Sequence, residues 1–437
     1  MTVDGRDRLR IPALVILGGA ATALAILVGY AIPEMPLLVV GGVVFLLLVV
    51  LALTQPVLLP LLAMPLIVVV LRVDAGPVDM TLSDWVLALA FWPAVLFAPR
   101  PFSPELRQLV WLNVLYQAAT LFTVIANPFL ANGVEWFHAW LLVSGALLVG
   151  WAVGASGHAR LGVSIFLAAC LALAVPALVQ SVLQFSRGNF SAVYPQWPWS
   201  MHKNFLGNLM GVAALVLYAR PTWLGWTRRW AVPALAIIVG ALAVTQARQA
   251  LVGLAVGLLV VSLRQHAERR RAVVALLVAV PMIYVVLTMV RDQIASGNQH
   301  NSWFTRLEWY ADAYDLWLDK PLLGHGLRYW TQPQAPGAFQ PPNAFLEVLA
   351  SAGLVGLVGF VIFWVGTIVV LSRLRPSFGT LALALAVSRL AQAQFDLFWV
   401  SVSVSTTFVL IGVCLGLAYS SRHLPDRAPR PKLAAAQ

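Results

Sequence analysis

Long apolar runs, broken by short polar connectors, fill almost the whole chain. A membrane-crossing helix needs about 20 mostly apolar residues, or about 17 when short. On that measure the pattern predicts spans at 11–32, 36–54, 56–71, 84–98, 107–126, 136–154, 161–185, 204–219, 230–246, 249–263, 272–290, 343–371, 378–394 and 399–420. The count is about fourteen, or about twelve if two of them merge or turn back. The first run follows a short basic start and is too long for the apolar core of a signal peptide, so an uncleaved first span is expected.

Two connectors are longer than the rest. One is aromatic, running from Ser186 to Asn204; the other, 291–342, is the one long loop. Long loops are uncommon and usually functional. Within the long loop the sequence WFTRLEWYADAYDLWLDKP has helical periodicity. Trp303, Leu307, Tyr310, Tyr314 and Trp317 recur at spacings of three and four, which predicts one apolar face. Glu308, Asp312 and Asp315 would lie opposite. Such a helix lies on the outer bilayer surface, covers a cavity, or simply packs on the bundle.

Composition agrees with this pattern. Of 437 residues, 60% are hydrophobic and only 10% charged, and mean hydropathy is +0.85. Soluble domains carry about 25% charged residues. The expected fold class is therefore all-α, a polytopic transmembrane bundle. Residues 1–421 form a single membrane domain, and 422–437 form a disordered cytoplasmic tail. Cys170 and Cys414 both lie in apolar runs without metal-ligand spacing and read as buried thiols.

The net charge of +11 would suggest nucleic acid in a soluble protein, but its distribution points to a membrane instead. With the N-terminus inside, RPFSPELR, SGHAR, RPTWLGWTRR, RQHAERRR and SRLRPS all fall on the cytoplasmic side. So do both tails. The basic residues left over are Arg72, Arg187, Lys203, Arg248, Arg291, Arg306, Lys320, Arg328 and Arg389. This is the positive-inside pattern, and it puts the long loop outside.

Arg248 is the conspicuous one. It sits between two apolar runs, with Thr245, Gln246 and Gln249 as polar neighbours. An arginine deep in a span costs about 2.5–3.5 kcal/mol on insertion scales and so should face protein or water. Either it snorkels to the interface or it meets an anion. Other polar groups at outer ends of spans are candidates to join it: Arg291, Arg306, His202, Lys203, Asn204, Asn343, Glu347, Arg389 and Asp396. The alternative for Arg389 and Asp396 is that they pair with each other. Converging arginines suit a polyanionic lipid headgroup, because the guanidinium binds phosphate oxygens in a bidentate fork.

No nucleotide loop, dinucleotide glycine pattern, Asp-x-Asp pair or metal-spaced histidines occur. No cofactor is therefore expected. Activation would come with the substrate, as in a lipid pyrophosphate.

Four segments resemble the O-antigen ligase and polymerase superfamily of membrane glycosyltransferases. PNAFLEVLASAGLVG is similar to its His-Asn…Gly-x-x-Gly signature, and TQARQALVGLAVG to its Ser-Arg-Gly-x hairpin. RLEWYADAYDLWLDKPLLGHGLRYW resembles its Arg-x-x-x-Trp…Pro-Leu-x-Gly-x-Gly loop segment, and SMHKNFLGNLMG its His-x-Asn span entry. The likeness covers roughly Tyr194 to Leu417. It implies a GT-C-like fold and metal-independent, inverting transfer of a glycan on the periplasmic face of the bacterial inner membrane. The donor would be undecaprenyl-pyrophosphate-linked glycan, and the acceptor a glycan or lipid A-core hydroxyl. Arg248 and Arg306 would bind the pyrophosphate, with Lys203 assisting. The family histidine aligns with Pro342, which carries no proton. His325, Glu347, Asp396 or His202 would act as base, or no strong base is needed. A transporter or flippase without chemistry is the reading from a different class. A peptidoglycan polymerase would share the carrier lipid, but its signature is not seen.

Overall fold

The computed structural model describes residues 36–73, 80–264, 288, 291, 302–332 and 339–423. Within them the chain is all-helical apart from a two-residue antiparallel ribbon, β1 (Arg72–Val73) with β2 (Met80–Thr81). The helices are α1 (Pro36–Thr54), α2 (Leu58–Leu66), α3 (Leu82–Phe97), α4 (Pro104–Ala126), α5 (Leu130–Ala155), α6 (Ala159–Phe185) and α7 (Lys203–Ala219). They continue with α8 (Arg228–Thr245), α9 (Arg248–Arg264), α10 (Ser302–Asp319), α11 (Ala344–Ser372), α12 (Pro376–Gln392) and α13 (Ser401–His423). Helix α1 forms a unit of its own; the rest of the fold begins at Val57.

Every span read from the sequence coincides with a helix, except 11–32 and 272–290. The first lies outside the described residues, and only Thr288 of the second is described. Among the described residues six helices are long and apolar enough to cross a membrane: α4, α5, α6, α8, α11 and α13, the last over Ser401–Arg422. Helices α3 and α7 are shorter apolar ones. The protein is a polytopic helical bundle. In lipid no water satisfies backbone groups, so such apolar segments have little choice but helix.

Local chemistry sets the ends. Ser103 caps α4 by accepting from Leu106 N at 3.2 Å, and Pro104 takes the first turn, where its missing N–H costs nothing. Thr81 and Asp84 form a capping box on α3, with Thr81 N donating to the Asp84 carboxylate at 2.8 Å. Asn343 caps α11 through Phe345 N at 3.0 Å and Leu346 N at 3.2 Å.

The centre is α13 against α5. Of α13's apolar window 94% is buried, and of α5's 89%. Their backbones nearly touch because glycines face each other. A Cβ at Gly150 or Gly154 would stand 1.9 or 2.3 Å from the carbonyls of Val409 or Val413. One at Gly412 or Gly416 would stand 2.2 or 2.5 Å from those of Leu147 or Trp151. Small residues four apart on both helices are the usual means of close packing in a bilayer, where burial of apolar side chains gives little drive. Around this pair, α11 packs on α4, α9 on α12 and α7, and α8 on α7 and α6.

Helix α11 is broken at Gly353, whose φ is 64° and ψ −165°. The loop after α10 fills the break. His325 N and Gly326 N donate to Ala350 O (3.1 Å) and Ser351 O (2.8 Å), below it. Leu354 N and Val355 N, above it, donate to Pro321 O (2.9 Å) and Leu322 O (3.2 Å). A Cβ on Gly353 would lie 2.2 Å from Leu322 O. The Pro-Leu-Leu-Gly-His-Gly segment is thus the partner of the Gly353 break, and it ties α10 to the bundle.

Candidate functional site

The hairpin between α8 and α9 is as tight as the sequence suggests. Gln246 ends α8 in the left-handed region, at φ 50°, and Arg248 begins α9 two residues later. Thr245 closes the turn by accepting from Ala247 N at 3.3 Å, and Gln246 Nε2 holds the aromatic connector at Phe190 O, 2.9 Å. The hairpin therefore presents Arg248 at the end of two helices.

Lys203, the first residue of α7, lies within electrostatic reach of Arg248 and Arg306, and Arg248 within reach of Arg306. Three cations from three separate segments thus gather at one end of the bundle. Lys203 also approaches the Tyr194 ring, 5.9 Å from its centroid, and His202 packs edge-on against that ring. Burial holds His202 below its ordinary value, although Asp396 pulls the other way.

Beside the cations stands Asp396, in the connector between α12 and α13. Three carboxamides reach its carboxylate: Asn204 Nδ2 at 3.4 Å, Asn208 Nδ2 at 3.5 Å and Gln249 Nε2 at 3.3 Å. Asn208 also donates to Ser403 Oγ at 3.1 Å. Asn204 and Asn208 come from α7 and Gln249 from α9, one residue after Arg248. Carboxamides donate hydrogen bonds but no charge, so these contacts orient the carboxylate.

Helix α10 carries Arg306 to this group. Its packed face is not quite the one the aromatic spacing predicts. Arg306, Trp309, Tyr310, Leu316 and Trp317 are half-buried and Ala313 is buried, while Leu307 and Tyr314 are 45% and 48% exposed. The packed stripe is thus rotated to one that includes buried Ala313 and leaves Leu307 and Tyr314 outside it. Glu308, Asp312 and Asp315 are exposed as expected. The phenol of Tyr310, next to Arg306, is 3.4 Å from Pro342 O, which brings the start of α11 under the helix. Burial raises the Tyr310 phenol above its usual range, against the opposing pull of Arg306.

A model of the O-antigen ligase family matches residues 233–361. That segment of the chain is similar to the O-antigen ligase family, which supports the likeness read from the sequence motifs. The matched segment runs from α8 to α11 and contains Arg248, Arg306, His325, Asn343 and Glu347. Lys203, Arg389 and Asp396 lie outside it. A search of curated proteins finds no match. This likeness supports a role in polysaccharide assembly and a glycosyltransferase-type activity, with lipid-linked glycan and acceptor as general substrates.

The other residues that the sequence singled out are placed differently. Asn343 is a helix cap, and its Nδ2 lies 3.4 Å from Gln394 O. Arg389 does not pair with Asp396. It is 1% exposed and donates to Leu397 O at 3.1 Å and to Phe398 O, with its guanidinium over the Phe398 ring. It therefore fixes the backbone of the connector that carries Asp396. Glu347 is buried, takes a 2.7 Å bond from Gln340 Nε2, and lines a small cavity with Gln117 and Glu135; its other oxygen has no hydrogen-bond partner among the described residues. His325 is held by Leu316 O at 2.9 Å and lies 3.4 Å from Asp319. Burial keeps its imidazole below the ordinary value. These contacts tie His325 to the far end of α10, not to Arg306. Arg291 is exposed, and the residues after it lie outside the described ones.

Sequence reading missed Asn208, and it took Gln249 only as a polar neighbour of Arg248, not as a partner of Asp396. The signal was present for both: Asn208 is one helical turn beyond Asn204, and Gln249 is adjacent to Arg248. It also missed the buried chain Asp84–His138–Glu135–Arg328, with distances of 3.1, 3.4 and 3.0 Å. This chain anchors the loop after His325 among the spans. No group of three or more metal-ligating side chains occurs among the described residues.

Proposed function

We propose that the protein transfers a glycan from undecaprenyl pyrophosphate to an acceptor hydroxyl at the outer end of the bundle, on the periplasmic face of the inner membrane. The observation that carries this reading is the gathering of Lys203, Arg248 and Arg306 from three segments beside an oriented carboxylate. A pyrophosphate bears several negative charges, and more charge develops on it as the sugar leaves. Two guanidiniums and an ammonium already in place stabilise that charge without reorganising. They supply the electrophilic assistance that a metal ion gives elsewhere, so the step needs none.

Attack by the acceptor hydroxyl on the face opposite the leaving pyrophosphate inverts the anomeric carbon. The bond from carbon to pyrophosphate oxygen breaks, and a glycosidic bond forms. The hydroxyl proton must go to a base. Pro342 occupies the position of the family histidine and cannot take it. Asp396 can: it is half-exposed and held by Asn204, Asn208 and Gln249 next to the cations. Glu347, buried under Gln340, and His325, tied to Leu316, are less well disposed.

The test is a transfer assay with purified protein, lipid-linked glycan and acceptor, with EDTA present. Wild type moves glycan, and Arg248→Ala does not while keeping its fold. A ladder of products makes the protein a polymerase; one glycan on a lipid A core makes it a ligase. Normal transfer by Arg248→Ala removes this reading of the site. Transport by wild type without new glycosidic bonds removes the enzyme.

A further inference from the structure

Lys320, His325 and Tyr329 follow α10 in a segment to which the transfer chemistry gives no role. With Asn127 and Phe129, from the turn between α4 and α5, they line an open recess of about 290 Å³. Its walls are held from behind. Asn127 Nδ2 donates to Gly324 O and to Thr123 O, both at 3.1 Å, and Lys320 Nζ donates to Asn127 Oδ1 at 3.3 Å. The backbone on either side of His325 is pinned into the break of α11. A Cβ on Gly326 would meet the Phe129 ring at 2.7 Å, so the loop and that ring are in close contact.

The chemistry of the lining is mixed in a specific way. Tyr329 and Phe129 offer aromatic surface, and the Tyr329 ring packs on His325 at 4.8 Å. Lys320 and Asn127 offer polar groups beside them. The imidazole Nε2 is committed to Leu316 O, which leaves Nδ1 for a further hydrogen bond. Apolar surface with a few convergent donors and acceptors suits a ligand with a C–H face and a hydroxyl edge. That is a sugar ring. The volume sits at the lower end of small-molecule sites, about 300 Å³, enough for a ring or two and too little for a lipid tail. One lysine, with Asp319 close to His325, makes a poor site for a pyrophosphate.

The position adds a second argument. Arg306 is in the second turn of α10 and Asp319 ends it. At 1.5 Å per residue the two ends are roughly 20 Å apart. The cation group and the recess thus stand at opposite ends of one rigid rod, a separation that several linked sugars can bridge and a single sugar cannot.

We propose that this recess is a carbohydrate subsite, binding a sugar ring some way along a glycan whose pyrophosphate end sits at Lys203, Arg248 and Arg306. The proposal rests on the transferase reading only for what occupies the far end of α10. The ring can come from the distal part of the donor glycan or from the acceptor glycan, and the chemistry of recognition is the same.

The experiment uses the full chain in nanodiscs and two lipid-free probes. One is the glycan cut from its carrier by mild acid; the other is the acceptor oligosaccharide freed of its lipid. Saturation-transfer NMR and a titration read binding without any transfer. Wild type binds at least one probe, and which one it binds names the source. Tyr329→Ala and Phe129→Ala each weaken that binding tenfold or more, and Tyr329→Phe restores it. Lys320→Met, at an exposed position, also weakens it and keeps the test open if an aromatic variant fails to fold. Equal binding by wild type and all three weakening variants overturns the subsite, as does binding of neither probe. If binding depends on Tyr329 but no transfer is ever seen, the subsite stands and the transferase reading falls.

Discussion

Arg248 is a charge that the membrane makes expensive, and its neighbours explain why it is kept. It stands at a hairpin that leaves almost no loop, within electrostatic reach of Lys203 and Arg306. Like charges gathered this way raise the energy of the empty site and repay it when an anion binds. Arg248→Ala and Arg306→Ala should therefore each lower the transfer rate by about 10²–10³, the usual effect of removing a group that stabilises developing charge. Arg248→Lys should recover only part of this, since an ammonium cannot fork two phosphate oxygens. Initial rates with the lipid-linked donor check both. His325 gives a prediction of a different kind. Burial lowers its folded value below the ordinary one near 6.5, so the folded state prefers the neutral ring. Its contribution to stability is present above about pH 6.5 and is lost as pH falls below that, because the unfolded chain then binds the extra proton. Thermal unfolding between pH 7.5 and 5 should show a shallower loss in His325→Gln than in wild type.

At the scale of elements, the break in α11 and the loop that fills it act as one joint. Gly353 is in a conformation that a side chain rarely adopts, and a Cβ there would collide with Leu322 O. Gly353→Ala should cost about 1–3 kcal/mol from backbone strain alone, with the clash added. Because the joint carries α10, the same change should move Arg306 and cut transfer. Unfolding in nanodiscs and activity at a temperature where the variant is fully folded separate the two effects. Periodicity revealed the helix 302–319 but misjudged its face. Spacing identifies which residues share a side, whereas the side that packs depends on the neighbouring helices, and here it is the side that carries buried Ala313. The Gly-x-x-Gly signature was likewise legible as a motif. Its meaning was not, because the loop that fills the break comes from some thirty residues earlier in the chain.

For the whole molecule, the charge bias predicts that the connectors around Ser156 and Thr222 are cytoplasmic and that Ser191 is outside. Cys170 and Cys414 are buried, so the native background is low. A membrane-impermeant maleimide applied to intact spheroplasts should label Ser191→Cys and spare Ser156→Cys and Thr222→Cys; the reverse pattern would invert the frame. The sequence by itself determined the class of fold. Apolar runs of span length cannot satisfy their backbones in lipid except as helices, and the basic connectors choose a side. It also carried the likeness to the O-antigen ligase family, through short motifs whose order along the chain is informative. Only the tertiary structure decided which of the outer polar residues act together. Arg389 and Asp396, seven residues apart, do not pair, while Asp396 meets Asn204, Asn208 and Gln249 from two distant helices. The reason is physical: helix formation is local and can be read from spacing, but the convergence of charges depends on how helix ends are brought together. Here glycine contacts between α5 and α13 and the joint at Gly353 set those positions.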